Sequence, residues 1–236
     1  MGAIAAALQA CRARIEVACA ASGRGSDCAR LLAVSKTFPA EAVRQAHAAG
    51  QRLFGESYAQ EALPKIESLA DLPLEWHFIG PLQSNKTRVI AEHFHWLHSL
   101  DRESLARRLS RQRPAHLPPL NVCIQVNVSG EASKHGVPPS EALPLAQALA
   151  ALPNLRLRGL MAIPEPTPDL AHLRGRFREV AILLEQARRL GLSLDTLSMG
   201  MSADLEAAIM EGATMVRVGS AIFGARDYNT NQEQSS

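Results

Sequence analysis

The segment LLAVSKTFPAEAVRQAHAAG, residues 31–50, shows the repeating unit of the fold, because one strand and one helix follow each other in it. Its apolar start, residues 31–36, predicts a buried strand that ends at Lys36. Pro39 suits the first turn of a helix and Gly50 suits its C-terminal cap, so residues 39–50 are predicted to form an amphipathic helix. The stretch is therefore one strand–helix unit.

The same strand-then-helix pattern occurs eight times along the chain. After residues 31–36, the strand-like runs are RLFGES (52–57), EWHFIG (75–80), HWLHSL (95–100), NVCIQVNV (121–128), LRLRGLMAI (155–163), TLSMG (196–200) and TMVRVG (214–219). Amphipathic segments lie between them, such as DRESLARRLSRQR, where Asp101 suits an N-cap. Eight alternating units predict an α/β fold with a parallel (β/α)8 barrel, the TIM barrel.

Both ends of the chain lie outside this repeat. Residues 3–20 are predicted to form an extra N-terminal helix on the outside of the barrel. The polar residues 229–236 are expected to be a disordered tail. The Pro-rich spots at 113–120 and 163–169 are short enough to be loops, so a single domain is expected over residues 1–228.

Composition argues against several classes of protein. A formal charge of +2 with only 4% aromatic residues does not suit a nucleic-acid-binding surface. No stretch reaches the length of a membrane span, and Arg12, Arg14 and Glu16 interrupt the apolar N-terminal start, which argues against a signal peptide. We therefore expect a cytoplasmic protein.

The cysteines fit the same compartment. They have neither a CxxC spacing nor histidines at ligand distance, so we expect reduced thiols rather than disulfides or a zinc site. They are Cys11, Cys19, Cys28 and Cys123.

Polar residues collect where the predicted strands end. In a parallel barrel the C-terminal ends of the strands share one face, and the loops after strands seven and eight commonly bind phosphate through backbone N–H groups. Four residues of these loops fit that role: Ser198, Ser202, Gly219 and Ser220. Lys36 ends the first strand on the same face.

Lys36 has two interpretations. It is either an ordinary surface lysine that follows a strand, or a crowded amine that loses part of its preference for charge and attacks a carbonyl to form a Schiff base. An amine beside a phosphate site favours the second interpretation. Pyridoxal 5'-phosphate (PLP) supplies both the aldehyde and the phosphate, so PLP is the predicted cofactor.

Arg217 also has two interpretations. It forms a salt bridge at the barrel rim, or it faces the ring nitrogen of the cofactor. In the second case its permanent positive charge disfavours protonation of the pyridine, and carbanion chemistry is suppressed.

Several motifs occur in order and carry a family resemblance: AVSKT (33–37), FGESYAQE (54–61), WHFIGPLQSNK (76–86), GLMAIP (159–164), LSMGMSADLEAAI (197–209) and VRVGSAIFGAR (216–226). On these motifs the chain closely resembles the YggS/PROSC family of pyridoxal phosphate homeostasis proteins, from about Leu31 to Tyr228.

The resemblance implies a monomeric barrel like the N-terminal domain of alanine racemase, carrying PLP as an aldimine on Lys36. It also implies that the four residues named above hold the phosphate and that Arg217 lies near the ring nitrogen. Family members are thought to bind, store or hand over PLP, with PLP-dependent apoenzymes as candidate partners, and to affect amino-acid balance. No firm enzymatic turnover attaches to them.

Ser57 and Lys134 are two further candidates for contact with the cofactor. The family usually reads FGEN where this chain reads FGES, so Ser57 replaces an asparagine. Ser57 stays a candidate contact to the cofactor, although its hydroxyl is shorter and donates a single hydrogen bond. Lys134, in KHG at 134–136, is either a second, weaker contact or an exposed loop lysine.

The histidines of HFHWLH do not predict a metal site. His95 and His98 fall on opposite faces of a strand, which separates the ligands. His77 is expected to be a hydrogen-bonded core histidine, although a place near the cofactor is the alternative.

Two hypotheses of different class follow. In the first, the protein is a PLP carrier and buffer with no catalytic residue. In the second, it is an amino-acid racemase or a related enzyme that uses Lys36 as one of two bases. The racemase route needs a second base on the opposite cofactor face, in alanine racemase a tyrosine from a separate domain of a partner chain. Since Tyr58 and Tyr228 are the two tyrosines and the sequence ends soon after the second, the carrier is favoured.

Overall fold

Eight parallel strands close into a barrel in chain order, and β1 completes the barrel by pairing with both β2 and β8. The computed structural model describes residues 2–130 and 135–225. The strands are β1 Arg30–Val34, β2 Leu53–Glu56, β3 Glu75–Phe78, β4 Trp96–Leu100, β5 Leu120–Val126, β6 Leu155–Ala162, β7 Thr196–Met201 and β8 Met215–Val218. Each strand begins and ends within two residues of a predicted run, so the predicted (β/α)8 barrel is confirmed.

A helix follows each strand on the outside of the barrel. The helices are α1 Ala3–Ala21, α2 Ala40–Ala48, α3 Ala59–Ser68, α4 Thr87–His93, α5 Glu103–Gln112, α6 Pro139–Ala150, α7 Leu170–Arg189, α8 Leu205–Met210 and α9 Ser220–Phe223, with a 3-10 turn at Ser84–Lys86. None of the helices described here is both long and apolar enough to cross a membrane.

The predicted extra helix is α1, and it packs on α8 and α9. Its buried residues recur at helical spacing and form one apolar stripe: Leu8, Cys11, Ile15, Ala18 and Cys19. Arg14 donates two hydrogen bonds to the Glu206 carboxylate at the edge of this contact, 2.8 and 3.0 Å long. Because this ion pair is exposed, burial of the stripe accounts for most of the docking energy.

The main apolar core fills the layer between the strands and the helices. The barrel interior is different in character. A small apolar group of Trp96, Cys123 and Met161 lies there beside buried polar side chains, including His77 and His98. Buried polar groups are retained where they are hydrogen-bonded, so the interior of this barrel is a polar network rather than purely apolar layers.

The structure contains a disulfide, although all four cysteines were expected to be reduced. Cys19 and Cys28 are bonded, with their Cα atoms 5.9 Å apart, so the expectation of four reduced thiols is wrong for this pair. The loop after α1 folds back because Arg24 donates from its backbone N–H to the Cys19 carbonyl and from its guanidinium to the Cys28 carbonyl. No spacing motif in the sequence signals that return. Cys11 and Cys123 are buried thiols, and burial raises the pKa of Cys123 to about 12.

Candidate functional site

A cavity of about 270 Å³ opens at the C-terminal ends of the strands. Its volume is at the small end of the range for ligand pockets, roughly 300 Å³, which suits one compact ligand. The lining residues are Val34, Lys36, Ser57, Ile79, Ile163, Met201, Ser202, Ala203, Arg217, Gly219 and Ser220. They include six of the seven predicted cofactor-binding residues, so the shared face of the barrel brings these six together as expected.

The backbone on both sides of Lys36 is held by hydrogen bonds to the neighbouring strand β2 and to helix α3. Ser35 donates its N–H to the Gly55 carbonyl, which continues the β1–β2 pairing to the residue before the lysine. Thr37 has a φ of 70°, a left-handed conformation that is rare for a β-branched residue. Its N–H donates to Glu61 Oε1 at 2.5 Å. The turn that aims Lys36 at the cavity is therefore held by contacts on either side of the lysine.

A buried ionic group supplies part of that restraint. This Lys65 cluster consists of Ser35, Glu56, Glu61 and Lys65. The Lys65 amine donates to Glu56 Oε1 at 2.8 Å, to Glu61 Oε1 at 3.2 Å and to the Ser35 carbonyl at 3.0 Å. The Ser35 hydroxyl also donates to Glu56 Oε1, at 2.6 Å.

Glu56 is completely buried, and burial raises the pKa of its carboxyl even though Lys65 and Ser35 act to lower it. Its second oxygen, Oε2, has no hydrogen-bond partner among the described residues, which explains why desolvation outweighs the ion pair. The Lys65 cluster thus joins β1, β2 and α3 directly behind Lys36.

The wall that follows β7 and β8, next to β1, carries the residues predicted to bind the phosphate. Ser202 follows β7, and Gly219 precedes the first turn of α9, which Ser220 begins. Hydroxyl donors and the N–H groups at the start of a helix both favour a phosphate. Met201 donates its N–H to Asp204 Oδ1 at 2.5 Å and thereby fixes the loop that carries Ser202.

Arg217 is buried and donates three hydrogen bonds to the protein. They run from Nη1 to the Ser198 carbonyl (2.5 Å) and hydroxyl (2.8 Å), and from Nη2 to the Ala162 carbonyl (2.9 Å). Burial lowers the pKa of Arg217 to about 10, so it stays charged at neutral pH. In residues 2–130 and 135–225 no carboxylate forms an ion pair with it, so the rim salt bridge is not observed there.

Ser198 is the one predicted cofactor-binding residue that does not line the cavity. It is completely buried, and its hydroxyl lies 2.8 Å from both Arg217 Nη1 and His98 Nδ1. The two serines of the motif thus have different surroundings, because Ser202 lines the cavity whereas Ser198 contacts Arg217.

Ser57 lines the cavity beside Lys36 and is nearly buried. Gly80 packs directly on its backbone, since a Cβ built at Gly80 would lie 2.1 Å from the Ser57 carbonyl oxygen. Only glycine fits at that position. Lys134 and Tyr228 lie outside the described residues.

The histidines have structural partners. His95 accepts a hydrogen bond from the Trp76 N–H at 3.0 Å. His77 and His98 lie in the barrel interior, 2.9 Å apart, and His77 stacks on Trp96. The expectation that His77 is a hydrogen-bonded core residue is confirmed. The described residues hold no group of three or more potential metal ligands.

Sequence reasoning did not assign roles to Glu75 or His98. The signal was present, because strict alternation in EWHF puts Glu75 and His77 on one face of β3, and alternation in WLH does the same for Trp96 and His98 on β4. Two polar residues facing a barrel interior indicate a network.

Comparisons with known proteins place the chain in a family. The family model for the alanine racemase N-terminal domain matches residues 7–227. A pyridoxal phosphate homeostasis protein of Pseudomonas aeruginosa is 66% identical over 216 residues, covering 92% of this chain and 93% of that protein. Another from Vibrio cholerae is 55% identical over 223 residues, covering 93% and 94%.

A solved structure agrees. PipY of Synechococcus elongatus, determined with PLP bound, superposes with a TM-score of 0.82 at 38% identity and covers 94% of this chain and all of that one. The chain therefore belongs to the family of pyridoxal phosphate homeostasis proteins, within the alanine racemase N-terminal domain group.

Proposed function

We propose that the chain binds PLP in the cavity at the C-terminal ends of the strands, with Lys36 as its covalent attachment point. One observation carries the proposal: an amine, three serine hydroxyls and a helix start line the same small cavity. The relative solved with PLP bound has the same fold. When bound, PLP supplies an aldehyde that combines reversibly with amines.

The residues present fit that cofactor. Ser202, Ser220 and the backbone at Gly219 form the wall suited to the phosphate. Arg217 lies deeper and is suited to the ring nitrogen. Ser57 would contact the ring side with a single short hydroxyl. In this assignment Ser198 positions Arg217 and does not touch the cofactor.

Arg217 supports a carrier rather than a catalyst. A cation that stays charged at neutral pH disfavours protonation of a pyridine beside it. An unprotonated pyridine is a weak electron sink, so the site gives little help to carbanion chemistry. The names of the relatives, which refer to homeostasis and not to a reaction, support the same choice.

The proposed role is therefore to hold PLP and to release it to PLP-dependent apoenzymes or to competing amines in the cytoplasm. A monomer is proposed as well, because the closed barrel leaves no strand edge that needs a partner. Sedimentation velocity on the purified protein would check this state, and a dimer would contradict it.

A transfer assay tests the carrier role. The loaded protein is mixed with a PLP-dependent apoenzyme in the presence of excess pyridoxal phosphatase, which destroys free PLP. We expect reactivation to persist with the loaded protein and to disappear with an equal amount of free PLP. Equal loss in both samples would contradict the hand-over of PLP.

A second assay addresses the racemase hypothesis. Single-enantiomer alanine or serine is incubated with the loaded protein and with PLP alone at the same concentration. We expect equal, negligible racemisation in the two samples. Sustained conversion above the PLP control would replace the carrier by an enzyme.

A further inference from the structure

A continuous chain of hydrogen bonds crosses the barrel interior from its N-terminal end to the cavity. Glu75 Oε1 lies 3.0 Å from His77 Nε2, and His77 Nδ1 lies 2.9 Å from His98 Nε2. His98 Nδ1 lies 2.8 Å from the Ser198 hydroxyl, which lies 2.8 Å from Arg217 Nη1. Glu75 is about one-third exposed, whereas the two histidines are completely buried.

The chemistry of the two ends fixes the direction of every bond. At the cavity end, a guanidinium can only donate, so the Ser198 hydroxyl oxygen accepts from Arg217. At the other end, the hydrogen bond from His77 holds the pKa of Glu75 at about 2, so Glu75 is a carboxylate and can only accept. His77 must therefore carry its proton on Nε2 and donate to Glu75.

The two histidines then transmit this direction. Burial lowers the pKa of His77 to about 4 and that of His98 well below its usual value, so both rings are neutral at pH 7. A neutral His77 that donates from Nε2 accepts at Nδ1, which makes His98 Nε2 the donor. His98 Nδ1 is then an acceptor and takes the proton of the Ser198 hydroxyl.

This direction has a consequence for Arg217. Because the Ser198 hydroxyl has one proton and gives it to His98, its lone pairs stay turned toward the guanidinium. The Ser198 and Ala162 carbonyls hold the same guanidinium from two further sides. The imidazole of His77 is also fixed against rotation, since its ring stacks on Trp96 at 5.3 Å between centroids and 11° between planes.

We propose that Glu75, His77 and His98 are positioning residues that orient Arg217 through the Ser198 hydroxyl. Glu75 is the end of this hydrogen-bond chain that lies farthest from the cavity, at the N-terminal end of the barrel strands. The identity of the ligand that Arg217 contacts rests on the proposed function, whereas the donor–acceptor direction of these hydrogen bonds does not.

Nitrogen-15 spectroscopy tests the direction in the protein without PLP. Long-range ¹H–¹⁵N correlation spectra of histidine-labelled protein distinguish the two neutral tautomers, and single-histidine variants assign the signals. We expect His77 and His98 both to be neutral with the proton on Nε2 at pH 7. A proton on Nδ1 of either ring, or an imidazolium signal, would contradict the proposed direction of the hydrogen bonds.

Substitution of Glu75 tests the transmission. In Glu75→Leu only the Ser198 end still favours the original tautomers, so His98, which does not contact Glu75, should show a fraction with the proton on Nδ1. Glu75→Gln keeps an acceptor oxygen and should retain the wild-type pattern of His98 signals. Asp71→Leu is the matched control, because Asp71 is a carboxylate in the loop before β3 that pairs with Arg44 and not with any residue of the hydrogen-bond chain. Wild-type His98 signals in Glu75→Leu would overturn the proposal.

A PLP titration of the same variants tests the effect on the cavity. Glu75→Leu should weaken PLP binding about fivefold, the effect of losing one neutral hydrogen bond, and shift the absorption maximum of bound PLP. Asp71→Leu should leave both the affinity for PLP and its absorption maximum unchanged. Mixed His98 tautomers with unchanged PLP affinity would overturn the positioning role. If the wild-type protein bound no PLP, the proposed function alone would fail, and the nitrogen signals would still decide the direction of the chain.

Discussion

The Lys65 cluster gives the most demanding prediction for stability, through the substitution Lys65→Met. Methionine fills a similar volume but leaves the Glu56 carboxylate, which is completely buried, without its cation. Removing one partner of a buried ion pair costs about 3–5 kcal/mol, a large part of the roughly 5–15 kcal/mol that stabilises a typical domain. We expect a loss of this size in the free energy of unfolding at pH 8.

The loss should depend on pH in a defined direction. Burial already raises the pKa of Glu56 in the folded protein, and removal of Lys65 raises it further. A carboxyl with a raised folded pKa contributes stability that is present below its unfolded pKa and is lost as pH rises through the folded pKa. Lys65→Met should therefore be less destabilised at pH 5.5 than at pH 8, by about 1 kcal/mol or more, since one pKa unit corresponds to about 1.4 kcal/mol.

Urea denaturation at the two pH values measures both quantities. Lys86→Met, a substitution of a lysine outside the cluster, is the matched control and should change stability by less than about 0.5 kcal/mol. The double variant Glu56→Gln/Lys65→Met should recover part of the loss, because the buried charge is gone. A loss below about 1 kcal/mol at pH 8, or an equal loss at both pH values, would show that Lys65 does not stabilise a buried Glu56 carboxylate.

The remaining predictions concern the cavity and the barrel. Gly80→Ala should lower the free energy of unfolding by about 1–3 kcal/mol and weaken PLP binding, because the new methyl group meets the Ser57 carbonyl oxygen; wild-type stability in urea denaturation would contradict this. Gly159→Ala should be at least as destabilising, since a Cβ there lies 1.8 Å from the Thr196 carbonyl oxygen, and thermal unfolding would measure it. Ser202→Ala should weaken binding of PLP about fivefold or more in an absorbance titration but leave binding of pyridoxal, which lacks the phosphate, unchanged; equal effects on both ligands would place the phosphate elsewhere.

The fold could be predicted from the sequence because its signals are local. An apolar run, a helix-starting residue such as Pro39 and a C-terminal glycine such as Gly50 recur in order, and eight such units have one common closed arrangement. The ends of the strands differ by at most two residues from the predicted runs, as is usual for boundaries set by hydrogen bonds.

The contents of the cavity were predictable to the extent that barrel geometry dictates them. Lys36 and Gly219 end strands on the same face and do line the cavity. A motif does not show how far below the cavity a residue lies along its strand, as Ser198 illustrates. The motif groups it with Ser202, whereas the structure puts it lower in the barrel against Arg217.

Contacts between distant elements carried no usable sequence signal. Lys65 lies on α3 next to Pro64, where a lysine ordinarily faces solvent, and only the packing of α3 on β1 and β2 buries it against Glu56. The disulfide between Cys19 and Cys28 depends in the same way on how the loop after α1 returns.

Mapping the lysine that carries PLP shows most directly whether Lys36 is the attachment point. The chain has four lysines, Lys36, Lys65, Lys86 and Lys134, so chemical mapping gives an unambiguous answer. The loaded protein is reduced with borohydride, digested with trypsin and analysed by mass spectrometry. Modification of Lys36 blocks cleavage there, so we predict a pyridoxyl-bearing peptide LLAVSKTFPAEAVR, residues 31–44. A label found mainly on any of the other three lysines would contradict the account.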